Sequence, residues 1–455
     1  MLFRSGKTTC ARLDIDPQGA LKFKTGAGKI IFVVPGPVES FGLIKLDGTA
    51  SADDFHELRL TGKSPDDRTV KFEKGGALVV SGKGKLPGGK RNVLLGSKAP
   101  DPKAADVTGK LQVKGGILDV RQADLRDLKL LGDDIDNTGA TAGQRCNVLG
   151  NRFLERCNLG LTTCDTPFVT DNVFDYTGGP WHQPAAIALN GCPLAEVKNN
   201  TIKGSFYHAF SVYGCTDAVL SGNSSDRCYV GVYSVGTTTF KGHRVREAGG
   251  GFAVTSFTGT LEDCVFEKCA YGIHLSTGTV QMTSCVYRDP PKDGHAIDFA
   301  LGEITLINCD FGPENIVLPK VLPKADKPFV TAMHYLILKV NGEVPEDSEI
   351  DVRTVNPKPA LAPGAADLNV RNAPAPLVGG RTPLPQSLSP LILRAWVLDK
   401  DGKTVPVPEY SVRVLAPAQD GKERKVLKTL TIKPDAKWFR PKPNDPAPTL
   451  QVNLK

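Results

Sequence analysis

Eight copies of one six-residue pattern, apolar-x-x-(Asn/His/Cys)-x-apolar, recur between residues 148 and 311 of this 455-residue chain. A chain that repeats itself so closely has few folds open to it. The fourth position is Asn151, Asn172, Asn200, Asn223, His243, Cys264, Cys285 and Cys309, and successive copies stand 20 to 28 residues apart. Each copy opens on Val148, Val169, Val197, Leu220, Phe240, Leu261, Met282 or Leu306. It closes on Phe153, Phe174, Ile202, Ser225, Val245, Phe266, Tyr287 or Phe311, where only Ser225 is not apolar. Just before the fourth position stand Gly150, Asp171, Asn199, Gly222, Gly242, Asp263, Ser284 and Asn308. All are turn formers, so each copy marks one bend.

A period in the low twenties, with short β-like runs and no helical periodicity, leaves two solenoids, the leucine-rich repeat and the parallel β-helix. The leucine-rich pattern L-x-x-L-x-L does not recur with this period. In a β-helix each coil is a closed turn of short strands, and each strand pairs with its copies above and below at about 4.8 Å. Like then stacks on like. Four Asn at one bend can bond amide to amide and to exposed backbone groups, each bond netting roughly 0.5–1.5 kcal/mol. Where Cys264, Cys285 and Cys309 take over, a small buried apolar side chain serves the same bend.

On these residues the segment 110–312 resembles the right-handed parallel β-helix family, the pectate-lyase-like fold of many polysaccharide lyases, hydrolases, epimerases and tailspike-type proteins. The resemblance implies an all-β chain whose centre, 110–317, is a right-handed parallel β-helix solenoid. It implies a polysaccharide partner and an extracellular, periplasmic or cell-surface setting. For an enzyme it implies lyase or epimerase chemistry on an acidic sugar ahead of glycoside hydrolysis. Ca2+ is the cofactor that pectate-lyase-like relatives bring, held there by an acidic cluster, although no such cluster repeats along one face here. The polygalacturonase-like Asp pair followed by Gly-His-Gly is also absent, and Gly242-His243-Arg244, the nearest match, has its His in the ladder.

The flanks differ in composition. Twenty of the 34 prolines but only six of the 47 glycines follow residue 317, and no cysteine follows Cys309. Residues 318–455 therefore read as a Pro-rich β-sandwich of immunoglobulin or fibronectin type, a region suited to a protein partner or to cell-surface attachment. Its strands are expected near Phe329–Val340, Leu391–Leu398, Tyr410–Leu415 and Val426–Ile432, with a hairpin at Asp399-Lys400-Asp401-Gly402. Residues 1–109 read as a β-rich cap or small β module. A net charge of +7 on 56 basic and 49 acidic residues, with no Lys/Arg block, argues against nucleic acid. No apolar run is long enough to span a membrane, and the N-terminal MLFRSGKTTCARLDID has no apolar secretion core.

Aligning the second strand of each coil points Ile187/Leu189, Phe210/Val212, Val230/Val232, Phe252/Val254, Ile273/Leu275 and Ile297/Phe299 inward. His274 and Asp298 then face out on successive coils, with loop residues Asp289, Lys292 and Asp293 above them. Such a cluster offers general acid–base chemistry or oxygen ligands for a hard cation; it reads equally as a surface ion pair under a solvated loop. The next outward column is Asn190, Tyr213, Tyr233, Thr255 and Ser276, whose aromatic faces suit sugar rings. The longest coil carries an extra loop with Trp181 and His182, a candidate groove wall. Rows of cysteine in register do not make a tetrahedron, so no metal site is assigned, and inter-coil disulfides pass on Cα spacing alone. The rival to a polysaccharide-binding or polysaccharide-processing protein is a non-catalytic structural or adhesion scaffold whose ladders serve only stability.

Overall fold

Single residues held at positive φ make the bends. The computed structural model describes residues 6–9, 20–23, 29–34, 38–40, 43–47, 55–61, 64, 66–73, 76–82, 91–97, 108–136, 145–176, 185–320, 322, 329–341, 349–354, 382–383, 391–399, 401–406, 409–417, 424–432 and 449–453. Ahead of each ladder position the backbone is left-handed: Gly150 (φ 64°), Asp171 (57°), Asn199 (54°), Gly222 (62°), Gly242 (61°), Asp263 (53°), Ser284 (53°) and Asn308 (55°). Gly, Asn and Asp tolerate this region best, which is why the turn formers stand there.

The chain forms two compact units, one of Met1–Gly259, Cys264–His274 and Arg288–Gly294, the other of Thr260–Asp263, Leu275–Tyr287 and His295–Lys455. In the first unit a coil lays down three short strands, for example Asn158–Thr162, Phe168–Thr170 and Val173–Tyr176. The next coil repeats them as Ile187–Asn190, Glu196–Lys198 and Thr201–Gly204. Counterparts pair in parallel, Leu159 with Ile187, Val169 with Val197 and Phe174 with Ile202. This three-faced parallel stacking is a right-handed parallel β-helix. The pairing extends to strands ahead of residue 109. Lys29–Val34, Phe55–Leu60 and Val93–Ser97 pair in parallel in series, and Val93–Ser97 pairs on with Asp124–Arg126. The strands of the segment expected as a cap or small module thus form coils of the same kind.

The core follows from the register. Leu111, Leu130, Leu159, Ile187, Phe210 and Val232 oppose one another in sequence along one face and are all buried. On another face Phe153 stacks on Phe174, centroids 4.1 Å apart and 8° from parallel. Each such side chain contributes roughly 1.5–3 kcal/mol on burial. Ser225 continues the column of Ile202 and Val245, buried, with no partner for its hydroxyl.

The Asn side chains close the corner between the second and third faces. Asn172 Oδ1 accepts from the backbone N–H (2.9 Å) and the Nδ2 (3.0 Å) of Asn151. Asn172 Nδ2 donates to the Val148 carbonyl (2.7 Å) and to Asn200 Oδ1 (2.9 Å). Asn200 repeats the set with Val169 and Asn223. Ala123, one coil earlier, gives its N–H to Asn151 Oδ1 (2.9 Å). The cysteines that replace Asn do more than fill space. Cys264 Sγ donates to the Phe240 carbonyl (3.9 Å), three residues ahead of the preceding ladder position, where Asn172 Nδ2 meets Val148. Within the second unit Cys285 and Cys309 reach Leu261 and Met282 in the same way, at 3.4 and 3.5 Å.

Also in the second unit, Glu303–Ile307 pairs in parallel with Val330–Asn341, which pairs antiparallel with Leu391–Leu398. The predicted hairpin follows: Leu398 opposes Thr404, and Asp399 Oδ1 accepts the N–H groups of Asp401 (2.9 Å) and Lys403 (2.7 Å). Thr382–Pro383, Glu349–Thr354, Tyr410–Leu415 and Val426–Ile432 form a four-stranded antiparallel sheet, as a separate β module requires.

Replacing Asn172 with Ala removes four bonds and leaves the Asn151 N–H and Val148 carbonyl buried without their partners. The expected cost is roughly 2–4 kcal/mol, read as a lower urea midpoint. A loss under about 0.5 kcal/mol removes the ladder from the account of stability.

Candidate functional site

The three faces of the first unit differ in charge. On the third face Asp175, Lys203, Asp226, Arg246 and Glu267 oppose one another in sequence, alternating in sign. Asp226 meets Arg246 at 2.9 Å and Arg227 at 3.7 Å. At the adjoining corner Arg227, Glu247 and Lys268 also alternate, each left-handed, with Lys268 Nζ 3.5 Å from Glu247. The second face carries the paired Glu196 and Lys198. The first face is different. From Asn158–Thr162 through Ile187–Asn190 and His208–Tyr213 to 230–235, 250–256 and Tyr271–His274, no Asp, Glu, Lys or Arg occurs.

That face carries an aromatic strip instead. Tyr207 stacks on Tyr229, one coil away, at 4.7 Å and 19°, and Tyr229 is 45% exposed. His208 stacks on Tyr233 at 5.2 Å and 15°. In the next coil Gly249 stands opposite Tyr229 and Gly250 opposite Val230, the Gly250 N–H donating to the Tyr229 carbonyl (3.0 Å). A Cβ at Gly250 would lie 2.0 Å from Tyr271 Cζ and 2.2 Å from its Oη, so the missing side chain lets the Tyr271 ring lie across this coil. His274 follows, its ring centroid 6.1 Å from that of Tyr271. Partial burial holds the His208 imidazole below its ordinary pKa, so it is uncharged at neutral pH.

Of the residues singled out from the sequence, Asn190 and Tyr213 oppose each other at the edge of this strip, and Tyr213 is 56% exposed. Tyr233 opposes Ser211, and Tyr213 opposes Val235, so the two tyrosines do not share a column. Phe210 likewise lies over Val232, not Val230. The strand is shifted by two residues from the expected alignment. A two-residue slip keeps every side chain on its own face, so the apolar alternation could not detect it. His274 is half-buried on its strand in the first unit, where Asp289, Lys292 and Asp293 sit exposed in the loop after Arg288. Asp298 is half-buried in the second unit, on His295–Phe299. Trp181 and His182 lie outside the described residues. Tyr207, His208, Tyr229 and Tyr271 were missed by the sequence reading, although each is an aromatic directly after a corner and a Gly-Gly-Gly run, 249–251, marks the coil that Tyr271 crosses.

The remaining titratable groups sit in the wall. Cys146, Cys164, Cys192 and Cys215 are hydrogen-bonded thiol to thiol in series at the corner between the first and second faces. The Cys164 thiol and burial hold the Cys192 thiol up at about 12, and burial with the nearby Asp226 carboxylate does the same for Cys228. All ten described cysteines are buried. Among the described residues no group of three or more His, Cys, Asp or Glu side chains is placed to hold a metal ion. No described helix is long and apolar enough to cross a membrane.

Residues 159–311 match the family described as the right handed beta helix region. Among solved structures the chain is similar to the periplasmic alginate epimerase AlgG, determined as a double mutant, at 9% identity and a TM-score of 0.29 over 64% of this chain and 78% of that one. No curated protein matches. The family match and the parallel stacking agree on architecture, and an architecture does not choose a chemistry.

His243, at the fourth position between the Asn and Cys stretches of the ladder, is fully buried among Phe210 (5.0 Å), Phe252 (5.4 Å) and Phe240 (6.3 Å), with no hydrogen-bond partner for either nitrogen. Burial pushes its pKa down to about 3. Unfolded, it takes up a proton near 6.5; folded, it stays neutral until far lower pH. Its contribution to stability is therefore complete above about pH 6.5 and drains away as pH falls, by about 2 kcal/mol at pH 5. His243→Asn, which cannot titrate, should lose that part of the slope when unfolding free energies are compared at about pH 7 and pH 5. Parallel slopes for the two proteins would mean that His243 titrates alike in both states.

Proposed function

We propose that the β-helix binds a polysaccharide along its first face, in an exported or cell-surface setting. The observation that carries this reading is the exposed run of stacked aromatic rings, Tyr207 on Tyr229 and then Tyr271 laid across Gly250. A tyrosine offers apolar ring carbons to the C–H surface of a sugar and a hydroxyl to its polar rim. Rings repeated at the coil spacing of about 4.8 Å offer that contact over several successive sugars. Nothing in the packing requires them to be tyrosine. The position of Tyr207 and Tyr229 is filled in the next coil by Gly249, and that of Tyr271 is filled in earlier coils by Gly250 and Val230, each compatible with the same backbone pairing.

In this reading any processing of the bound glycan falls to His274 beside Tyr271, with Asp289, Lys292 and Asp293 in the loop of the same unit. His274→Ala should then leave binding intact and abolish product, read as the appearance of new reducing ends, which cleavage of any glycan chain releases. Affinity electrophoresis through gels containing soluble polysaccharides tests the binding itself. Tyr229→Ala and Tyr271→Ala should each weaken retardation roughly tenfold or more, since buried aromatic anchors commonly cost 1.4 kcal/mol or above. Val219→Ser, on the second face, should leave it unchanged. Wild-type mobility unaffected by any glycan overturns the proposal in favour of the scaffold.

A further inference from the structure

We infer that the glycan taken by this face is an uncharged one, a neutral polysaccharide and not a polyuronate or sulfated chain. This rests on the glycan-binding reading above and narrows it. A polyanion is held by cations placed along its path, and its binding weakens as salt screens them. Over six successive coils, from Asn158–Thr162 to Tyr271–His274, the strands of the first face contribute no Lys or Arg to such a path. The polar groups there include Thr162, Asn190, Ser211, Thr255, Ser256 and the tyrosine hydroxyls, which exchange hydrogen bonds with sugar hydroxyls without favouring a carboxylate. Of the two histidines on these strands, His208 stacks on Tyr233 and is held below its ordinary pKa by burial, and His274 lies at the end of the strip beside Tyr271.

The nearest cations do not supply the missing field. Arg227 and Lys268, at the corner beside the strip, stand within 4 Å of Asp226 and Glu247 respectively. Arg246 is paired with the same Asp226. These three cations are balanced by three carboxylates, Asp226, Glu247 and Glu267, the last opposing Arg246 one coil on, and Lys292 in the loop of the same unit lies between Asp289 and Asp293 in the sequence, so the flank adds no net positive charge. The net charge of +7 belongs to the chain as a whole and not to this face. A neutral polymer also avoids the desolvation that an anion would suffer against four aromatic rings with no countercharge.

The test runs the full-length protein against two sets of soluble probes at low and high salt. One set is neutral, mixed-linkage β-glucan, xyloglucan and galactomannan; the other is anionic, polygalacturonate and alginate. The expected result is retardation by a neutral polymer that changes less than about twofold with salt and falls at least about tenfold in Tyr229→Ala. Binding to a polyuronate that collapses at high salt and is lost in Tyr229→Ala overturns the neutral assignment while leaving the glycan-binding face in place. Equal affinity for both sets also overturns it. Silence toward every probe in both sets overturns the glycan reading itself and this inference with it.

Discussion

The constraint on which the first unit depends is the hydrogen-bonding problem at its corners. A left-handed residue turns the chain sharply, but it takes the next N–H and the carbonyl before the bend out of the sheet ladders, and both end up buried. The Asn side chain answers both at once, Oδ1 taking the N–H from the coil before and Nδ2 giving to that coil's carbonyl, as Asn172 does with Asn151 and Val148. Because each Asn bonds the next, Asn151 to Asn172 to Asn200 to Asn223, the corner also fixes the vertical register. Every stacked feature elsewhere in the unit, Phe153 on Phe174 or Tyr207 on Tyr229, inherits that register.

The change from Asn to Cys shows which half of the job is indispensable. Cys264 keeps the donor half, its thiol pointing at the Phe240 carbonyl, but the bond is longer than any Asn contact and thiols donate weakly. His243 keeps neither half in the described contacts and is held by rings alone. The sequence orders the ladder from full amide bonding, through an aromatic-packed imidazole, to thiols. The demand is met in turn by hydrogen bonds, by apolar packing and by a mixture of the two. A buried unpaired polar group costs about 1–3 kcal/mol, so His243 is tolerable only because its three Phe neighbours gain area from the same close approach.

The bend was legible because its chemistry is local. A turn former followed by Asn, His or Cys and then an apolar residue needs no knowledge of its neighbours, and all eight turn positions have the positive φ that explains their residue types. The hairpin at Asp399 was legible for the same reason. What could not be read was the pairing of one strand with the next where the coil length changes. The corner anchors the second and third faces, whereas the first face begins after a corner of variable content: Ser205-Phe206 in one coil, Arg227-Cys228 in the next. Period-two alternation is blind to a two-residue slip, and that slip hid the stacking of the His208 ring on Tyr233. The strands before 109 were missed because they lack the ladder Asn while still carrying the apolar alternation that pairs Leu58 with Leu95 and Leu95 with Leu125.

Charge is distributed over the faces in a way that stability alone does not ask for. A solenoid exposes each face to water, and the third face meets that with alternating rows in which every acid has a base above or below it. Such rows also guard register, since a slip of one coil would set like charges opposite one another. The first face gives up both advantages. It exposes Tyr213 and Tyr229 and has ring stacking where the third face has ion pairs, so the aromatic strip costs solubility that charged rows would have kept. A cost confined to one face, over the coils where the rings stack, is what selection for a flat uncharged ligand would leave behind, because such a ligand needs ring faces at the coil spacing and needs the salt-bridged rows kept out of its way.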